Sequence, residues 1–444
     1  MAGPLREKAL AALPFGLTGA QLRSLSEIDR DMASDERMLR LLQGDVGSGK
    51  TVVAFLAMLN AVESGAQAAL MAPTEILARQ HHATIAPLAA AVGVRVALLT
   101  GRDSGKARDA LLASLAAGGI DILIGTHALI SEDVDYRDLA FAVVDEQHRF
   151  GVHQRMSLSA KGERADILVM TATPIPRTLL LAHYGDLDAS RLDEKPANRK
   201  PIDTRVLPLE RLEDVYPAIR RAIGEGARVY WVCPLVEESA ETDLAAATER
   251  HADLAKRFPH KVGLVHGRLP GKERDATMKR FAAGDVSILV ATTVIEVGVD
   301  VPEATVMVVE HAERFGLAQL HQLRGRVGRG ERASTCLLLY QGPLGETAKA
   351  RLAILRESED GFRIAEEDLR LRGGGDALGA RQSGMPEFRL ADLATQAELL
   401  PLAGDDAKLI LEKDPALESP RGQAVRTLLY LFERDEGVRL LRSG

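Results

Sequence analysis

Cysteine is almost missing from this chain: Cys233 and Cys336 are the only two among 444 residues. Both lie inside apolar stretches that read as strands. That argues against a disulfide framework, a zinc site or an iron–sulfur cluster, and the two thiols read as plain core residues. Long hydrophobic runs are missing as well, since no stretch of eighteen or more apolar residues exists to span a bilayer as a helix. The opening MAGPLREKALAALPFG has neither the long apolar run nor the small-residue cleavage site of a secretory signal, so a cytoplasmic protein is expected. Surplus positive charge is lacking too. With 56 Lys and Arg against 63 Asp and Glu, the formal net charge is −7, which weighs against a nucleic-acid partner because phosphate neutralisation supplies much of that affinity. The exception is local: Gln319 to Arg332 holds Arg324, Arg326, Arg329 and Arg332 against only Glu331, which leaves room for a basic surface there.

What is present is the make-up of an ordinary globular protein, 46% hydrophobic and 27% charged. At about 100–200 residues per domain the length suggests two or three domains. The first half alternates β-rich runs with helical patterns: RLLQGD, AALMAPT, RVALLTG, DILIGTH, FAVVDE and ILVMTAT. Strands separated by helices of this length predict a parallel sheet with both faces covered. A polar segment from Asp186 to Arg205 reads as an interdomain linker. The alternation restarts with ARVYWVCPLV, KVGLVHG, VSILVATT, TVMVVEH and STCLLLYQ. Beyond about Gly342 charged helical patterns take over. The expected organisation is therefore an α/β domain over 1–195, a second over 196–342, and a mainly helical region over 343–444.

The first chemical signal is Gly44-Asp45-Val46-Gly47-Ser48-Gly49-Lys50-Thr51, which fits G-x-x-x-x-G-K-[ST] between a strand and a helix. Glycines let the backbone turn its N–H groups toward phosphates, Lys50 can reach the β/γ oxygens, and the Thr51 hydroxyl can hold Mg²⁺. The helix behind it adds its positive end. A glycine-rich turn without ligand is the bland alternative. The second half has no such motif and cannot bind phosphate in the same way.

The run Phe141 to Glu146 is an apolar strand ending in two carboxylates, where side chains of an open α/β sheet enter the ligand crevice. Asp145 is placed to hold Mg²⁺ together with Thr51, and Glu146 to orient and deprotonate an attacking water. In the second half, Gln322 to Gly330 alternates arginines with glycines. Arg326 and Arg329, the latter preferred, are candidates for guanidinium fingers at a γ-phosphate supplied from the same chain. A solvated basic turn is the alternative.

Together, Gly44 to Thr51, Asp145 to His148, Thr171-Ala172-Thr173 and Gln322 to Arg329 resemble the superfamily 2 helicases and translocases, whose two RecA-like domains hold ATP at their interface. Further runs narrow the resemblance to the RecG family of bacterial ATP-dependent branched-DNA helicases. They are LPFGLTGAQ at 13–21, APTEILARQH at 72–81, GTHALI at 125–130, DEQHRFGV at 145–152, TATPIPRT at 171–178, ATTVIEVGVDVP at 291–302 and GFRIAEEDLRLRGGGDALGARQSG at 361–384. The resemblance covers essentially the whole chain.

It implies that Gln21 reads adenine, that Gly44, Asp45, Val46, Gly47, Ser48, Gly49, Lys50 and Thr51 cradle ATP, and that Gly298 and Asp300 line the cleft near the ribose. His148, Thr171, Thr173 and Gln322 would couple nucleotide state to DNA. Pro73, Thr74, Thr126, His127, Thr292 and Thr293 would contact DNA, although Thr at such places also serves as a cap or turn residue. The tail resembles the hairpin and loop that turns domain closure into movement along duplex DNA, with Glu366, Arg370, Arg372 and Gln382 as its marked positions. The implied partners are double-stranded and branched DNA and single-stranded-DNA-binding protein, met by a cytoplasmic, nucleoid-associated monomer.

Two departures stand out. Gly374 replaces a proline usual in the tail loop, which makes that loop more flexible. Only about a dozen residues precede LPFGLT, too few for the five-stranded OB-fold wedge usual in the family, so either a motor fragment or a protein without the wedge is expected. Among alternatives, a transcription–repair coupling translocase shares the DExH, TATPIPRT and hairpin features. A DEAD-type RNA helicase would read Asp-Glu-Ala-Asp and Ser-Ala-Thr. A scaffold without turnover would lose Lys50, Glu146 or Arg329, and a transporter ATPase would need Leu-Ser-Gly-Gly-Gln.

Overall fold

Strands that are apolar on both faces need cover on both sides, and this chain provides it with helices. A computed structural model describes residues 3–145, 161, 165–172, 174, 188–194, 200–234, 240–292, 301–328, 330, 332–373, 396 and 399–432. The first half runs α1 (Pro4–Ala12), α2 (Gly19–Met32), β1 (Leu39–Gly44), α3 (Lys50–Glu63), β2 (Gln67–Met71), α4 (Glu75–Ala91), β3 (Val96–Leu99), α5 (Gly105–Ala116), β4 (Ile122–Gly125), β5 (Leu139–Asp145), β6 (Asp166–Thr171) and β7 (Asp188–Leu192). The second runs β8 (Ile202–Pro208), α6 (Leu212–Gly224), β9 (Arg228–Val232), α7 (Ala240–Arg257), β10 (Val262–Val265), α8 (Gly271–Ala283), β11 (Ile288–Ala291), β12 (Ala304–Val309), α9 (Leu317–Arg324), β13 (Ser334–Tyr340), α10 (Glu346–Glu357) and α11 (Gly361–Gly373).

Both sheets are parallel throughout. The first has seven strands in the order β3-β4-β2-β5-β6-β1-β7, and the second has six in the order β10-β11-β9-β12-β13-β8. Set side by side, the orders match strand for strand, with β1 answering to β8, β2 to β9 and β5 to β12; β7 is an added edge. The two faces of the second sheet separate by alternation. Tyr230 and Val232 point into one core with Met307 and Leu338, while Val229 and Trp231 point into the other with Val308 and Leu339. Each such fully buried side chain contributes about 1.5–3 kcal/mol.

The presumed linker is shorter than its composition implies. Asp188–Leu192, within the polar stretch 186–205, and Ile202–Pro208, which begins within it, are edge strands of the two sheets. An edge strand needs few apolar residues. In β7, Ser190 and Leu192 are the buried positions, and Ser190 accepts from Arg40 on β1 at 3.0 Å. Helix α10 and the start of α11 lie beyond residue 343, yet Leu352, Ile354, Leu355 and Ile364 join the second sheet's core. Both sheets with these helices form one compact unit ending at Asp368, and the later helices α12 (Leu399–Lys413) and α13 (Pro420–Leu431) belong to another. Cys233 and Cys336 are free and buried, as expected, and burial pushes the Cys336 thiol up to about 12. No described helix is long and apolar enough to cross a membrane.

Candidate active site

Strand β1 delivers the chain into the glycine loop and α3 takes it out. Gly47 and Gly49 have φ of 77° and 89°, left-handed values that a side chain would strain. Helix α3 starts with no side-chain cap at Gly49, so its N-terminal dipole faces the loop uncapped. The Lys50 ammonium donates to the carbonyls of Gly44 at 2.6 Å and Asp45 at 3.0 Å, which holds the loop closed on itself.

Gln21 braces the same loop. Its Nε2 donates to the Ser48 carbonyl at 2.8 Å, while its Oε1 accepts from the Thr18 N–H at 2.9 Å in a capping box that starts α2. A Cβ at Gly49 would run into that amide. The residue expected to read adenine is thus buried beneath the phosphate loop, with both ends of its amide engaged.

Register brings the other parts to this edge. Gln43 at the end of β1 lies level with Thr171 on β6, and Met170 on β6 is level with Asp145 on β5. Asp145 is 7% exposed and Thr171 is 1% exposed, both at the carboxyl ends of their strands. The Asp145 carboxylate accepts a hydrogen bond at Oδ2 from His81 Nε2, 2.6 Å away on α4. Sequence reasoning missed His81. Its signal lies in the spacing Ala78, His81, Ile85, Ala89, a buried helical stripe broken by one polar residue. Among the described residues no three His, Cys, Asp or Glu side chains gather into a metal cage. A lone buried carboxylate such as Asp145 suits Mg²⁺, which keeps several waters and takes its remaining ligands from phosphates. Glu146, His148 and Thr173 lie outside the described residues.

The arginine-rich turn of the second domain rests on this loop. His321 Nε2 donates to Asp45 Oδ1 at 3.0 Å, and a Cβ on Gly325 would stand 3.2 Å from that of Val46. Gln322 and Arg326 flank this contact; Arg329 lies outside the described residues. Burial pulls the Asp45 carboxyl upward, but the hydrogen bond from His321, the charge of Lys50 and the Gly361 N–H outweigh it and hold the group below the usual carboxylate range.

Arg324 does not contribute to a basic rim. It is 3% exposed and donates to the carbonyls of Leu355 at 2.5 Å and Ser358 at 2.8 Å, and to His321 Nδ1 at 3.1 Å. Burial lowers its pKa. That bond fixes the His321 tautomer with its proton on Nε2.

The DNA candidates also sit at strand ends. Pro73 and Thr74 follow β2, Thr126 and His127 follow β4, and Thr292 follows β11. Thr74 caps α4, accepting from the Leu77 N–H at 3.3 Å. The Thr126 hydroxyl is buried with no partner among the described residues, whereas His127 is exposed. Glu366 and Arg370 are exposed on α11. Thr293, Gly298, Asp300, Gln382 and the side chain of Arg372 lie outside what the structure describes, as does Gly374.

A phosphate loop on one parallel sheet, met by an arginine-bearing turn from a second sheet of the same strand order, defines a tandem RecA-like helicase core. Family models agree in sequence order: DEAD/DEAH box helicase over 18–181, helicase conserved C-terminal domain over 210–331, and domain 3, C-terminal, of ATP-dependent DNA helicase RecG over 358–433. The chain is 51% identical over 417 residues to ATP-dependent DNA helicase RecG of Escherichia coli K12, covering 93% of this chain and 60% of that protein. It is 49% identical over 437 residues to RecG of Bacillus subtilis 168, covering 98% and 62%. The solved structure of RecG bound to a three-way DNA junction superposes with a TM-score of 0.75 at 47% identity, over 89% of this chain and 52% of that one. The chain belongs to the RecG family, and it spans about 60% of the length of the curated relatives it matches.

Proposed function

We propose that this chain is an ATP-driven motor that moves along double-stranded DNA and acts on branched DNA. The observation that carries the reading is the seat of the second domain's arginine turn on the first domain's phosphate loop, through His321 to Asp45 at 3.0 Å and Gly325 against Val46. A nucleotide entering there exchanges the Lys50 bonds to Gly44 and Asp45 carbonyls for bonds to phosphate oxygens. Closure of the two domains brings Arg326 and Arg329 toward the γ-phosphate. The water oxygen then bonds to γ-phosphorus as the β–γ bridging bond breaks, and Glu146 takes the water's proton. Thr51 and Asp145 would hold Mg²⁺, which neutralises phosphate charge when bound.

The strand-end positions Pro73, Thr74, Thr126, His127, Thr292 and Thr293 support a DNA track along the same edge, so strain from hydrolysis reaches DNA through the sheet ends. The relatives' description as ATP-dependent DNA helicases, and the junction-bound RecG structure, support branched DNA as the substrate. Family likeness alone supports a cytoplasmic, nucleoid-associated monomer that meets single-stranded-DNA-binding protein.

The test is phosphate release by the purified chain on forked DNA, linear duplex, single-stranded DNA and RNA. Duplex and forked DNA are expected to raise the rate most. Absence of any DNA stimulation refutes the motor, and stronger stimulation by RNA than by duplex refutes the substrate class.

A further inference from the structure

We infer that His81 is a positioning residue for the metal-holding carboxylate, fixing Asp145 so that a nucleotide-bound Mg²⁺ meets one preset carboxylate orientation. The inference rests on the motor reading above. Its basis is a device that the fold uses twice. Strand β5 ends in Asp145, and the helix after β2 supplies the base that grips it. Strand β12, which answers to β5, is followed by Glu310, and the helix after β9, which answers to β2, supplies Arg250.

The two grips differ in kind. Arg250 engages both oxygens of Glu310, with Nε 2.5 Å from Oε1 and Nη2 3.0 Å from Oε2, and the Trp231 indole adds a third bond at 2.5 Å. That carboxylate is held at both oxygens and serves the fold. His81 gives Asp145 one bond, to Oδ2, from a ring that is 9% exposed. A carboxylate offers about four lone-pair sites, so the bond from His81 to Oδ2 can set its plane while occupying one of them. The ring is held by α4, whose first turn is capped by Thr74, a candidate DNA contact. His81 therefore also joins the DNA-facing end of that helix to the phosphate site.

The test uses the full chain with His81→Leu, which removes the donor, His81→Gln, whose amide can replace it, and His81→Asn, whose amide falls short. Affinity for a fluorescent ADP analogue is measured with Mg²⁺ and in EDTA, beside kcat and KM for ATP and a melting curve. In His81→Leu the gain in affinity on adding Mg²⁺ should shrink about 10- to 100-fold, the range for removing a hydrogen-bond partner of a metal-holding carboxylate. Affinity in EDTA should stay at the wild-type level, and the hydrolysis defect should fall on kcat rather than KM. His81→Gln should recover most of the Mg²⁺ gain while His81→Asn should not, a contrast that stands even if the leucine variant fails to fold. A wild-type Mg²⁺ gain in His81→Leu, or equal behaviour of the Gln and Asn variants, overturns the inference alone. A wild-type chain with neither Mg²⁺-strengthened nucleotide binding nor DNA-stimulated hydrolysis overturns the motor reading and this inference together.

Discussion

The two sheets share a strand order and use their carboxyl ends in opposite ways. In the first, β1 runs into left-handed glycines and an uncapped helix, and its polar groups are held by bonds that a nucleotide can replace. In the second, the equivalent strand β8 runs into a 3-10 turn at Leu209–Arg211. The crevice beyond the ends of β9 and β12 measures about 580 Å³, and Glu310, Arg250, Tyr216 and Arg257 among its lining are paired: Glu310 bonds to Arg250 and to the buried Trp231, Tyr216 stacks on Trp231 at 6.1 Å, and the Arg257 guanidinium lies 4.1 Å over the Tyr216 ring. A shared scaffold thus fixes where a site can be, and the loop residues decide whether it is one. What separates the crevices physically is what their polar groups are paired with: backbone carbonyls that a nucleotide can displace from Lys50 in the first, and oppositely charged side chains in the second.

The largest expected effect comes from breaking the closed crevice. Arg250→Leu leaves Glu310, 5% exposed, as a buried charge without its main partner. Losing one member of a buried pair costs about 3–5 kcal/mol, so urea unfolding should shift strongly while ATP turnover per folded molecule is retained. His81→Leu removes a hydrogen bond rather than a bidentate ion pair, so it should cost less stability, about 1–3 kcal/mol, and change Mg²⁺-dependent chemistry more. If Arg250→Leu instead impairs turnover at unchanged stability, the contrast between a structural and a chemical crevice is wrong.

A middle-sized effect tests whether the open crevice depends on its neighbour. Gly361 donates its N–H to Asp45, and a methyl there would collide with Asp45 Oδ1 and His321 Nε2. Overpacking of this kind costs about 1–3 kcal/mol, and 1.4 kcal/mol is about tenfold in rate. Gly361→Ala should therefore lower DNA-stimulated hydrolysis about tenfold and leave the DNA-independent rate nearly unchanged. Equal loss of both rates would make Gly361 a matter of folding only.

Much of this arrangement was readable in the chain. Continuous apolar runs between helical patterns gave eleven of the strands, because a strand buried on both faces must be apolar throughout; the edge strands β7 and β8 were hidden since one flank needs no cover. The phosphate loop and Asp145 were legible because their chemistry demands particular residues at fixed spacing. His81 and His321 were not, because a lone histidine in an apolar stripe gains meaning only from the carboxylate across from it. Arg324 misled for the same reason. A run of arginines reads as a surface until one of them is found holding buried carbonyls.

The smallest effect concerns the tie between the domains. Asp45 faces His321 and Arg324 from α9, Lys50 from α3 and the Gly361 N–H from α11, and its pKa in the fold lies below the ordinary 3.8. A depressed carboxylate pKa means that the ionised form is favoured by folding. Its contribution is complete above about pH 4 and disappears as pH falls through the folded-state value. Replacing a charged hydrogen-bond acceptor with a neutral one costs about 1 kcal/mol, or roughly 2 °C in a chain of this size. At pH 7 Asp45→Asn should therefore melt slightly below wild type, and the two melting curves should converge as the pH is lowered below 3.8. A gap that persists unchanged at pH 3 would mean that Asp45 acts through shape rather than charge, and that packing such as that of Gly325 on Val46 carries its part of the link to the second domain.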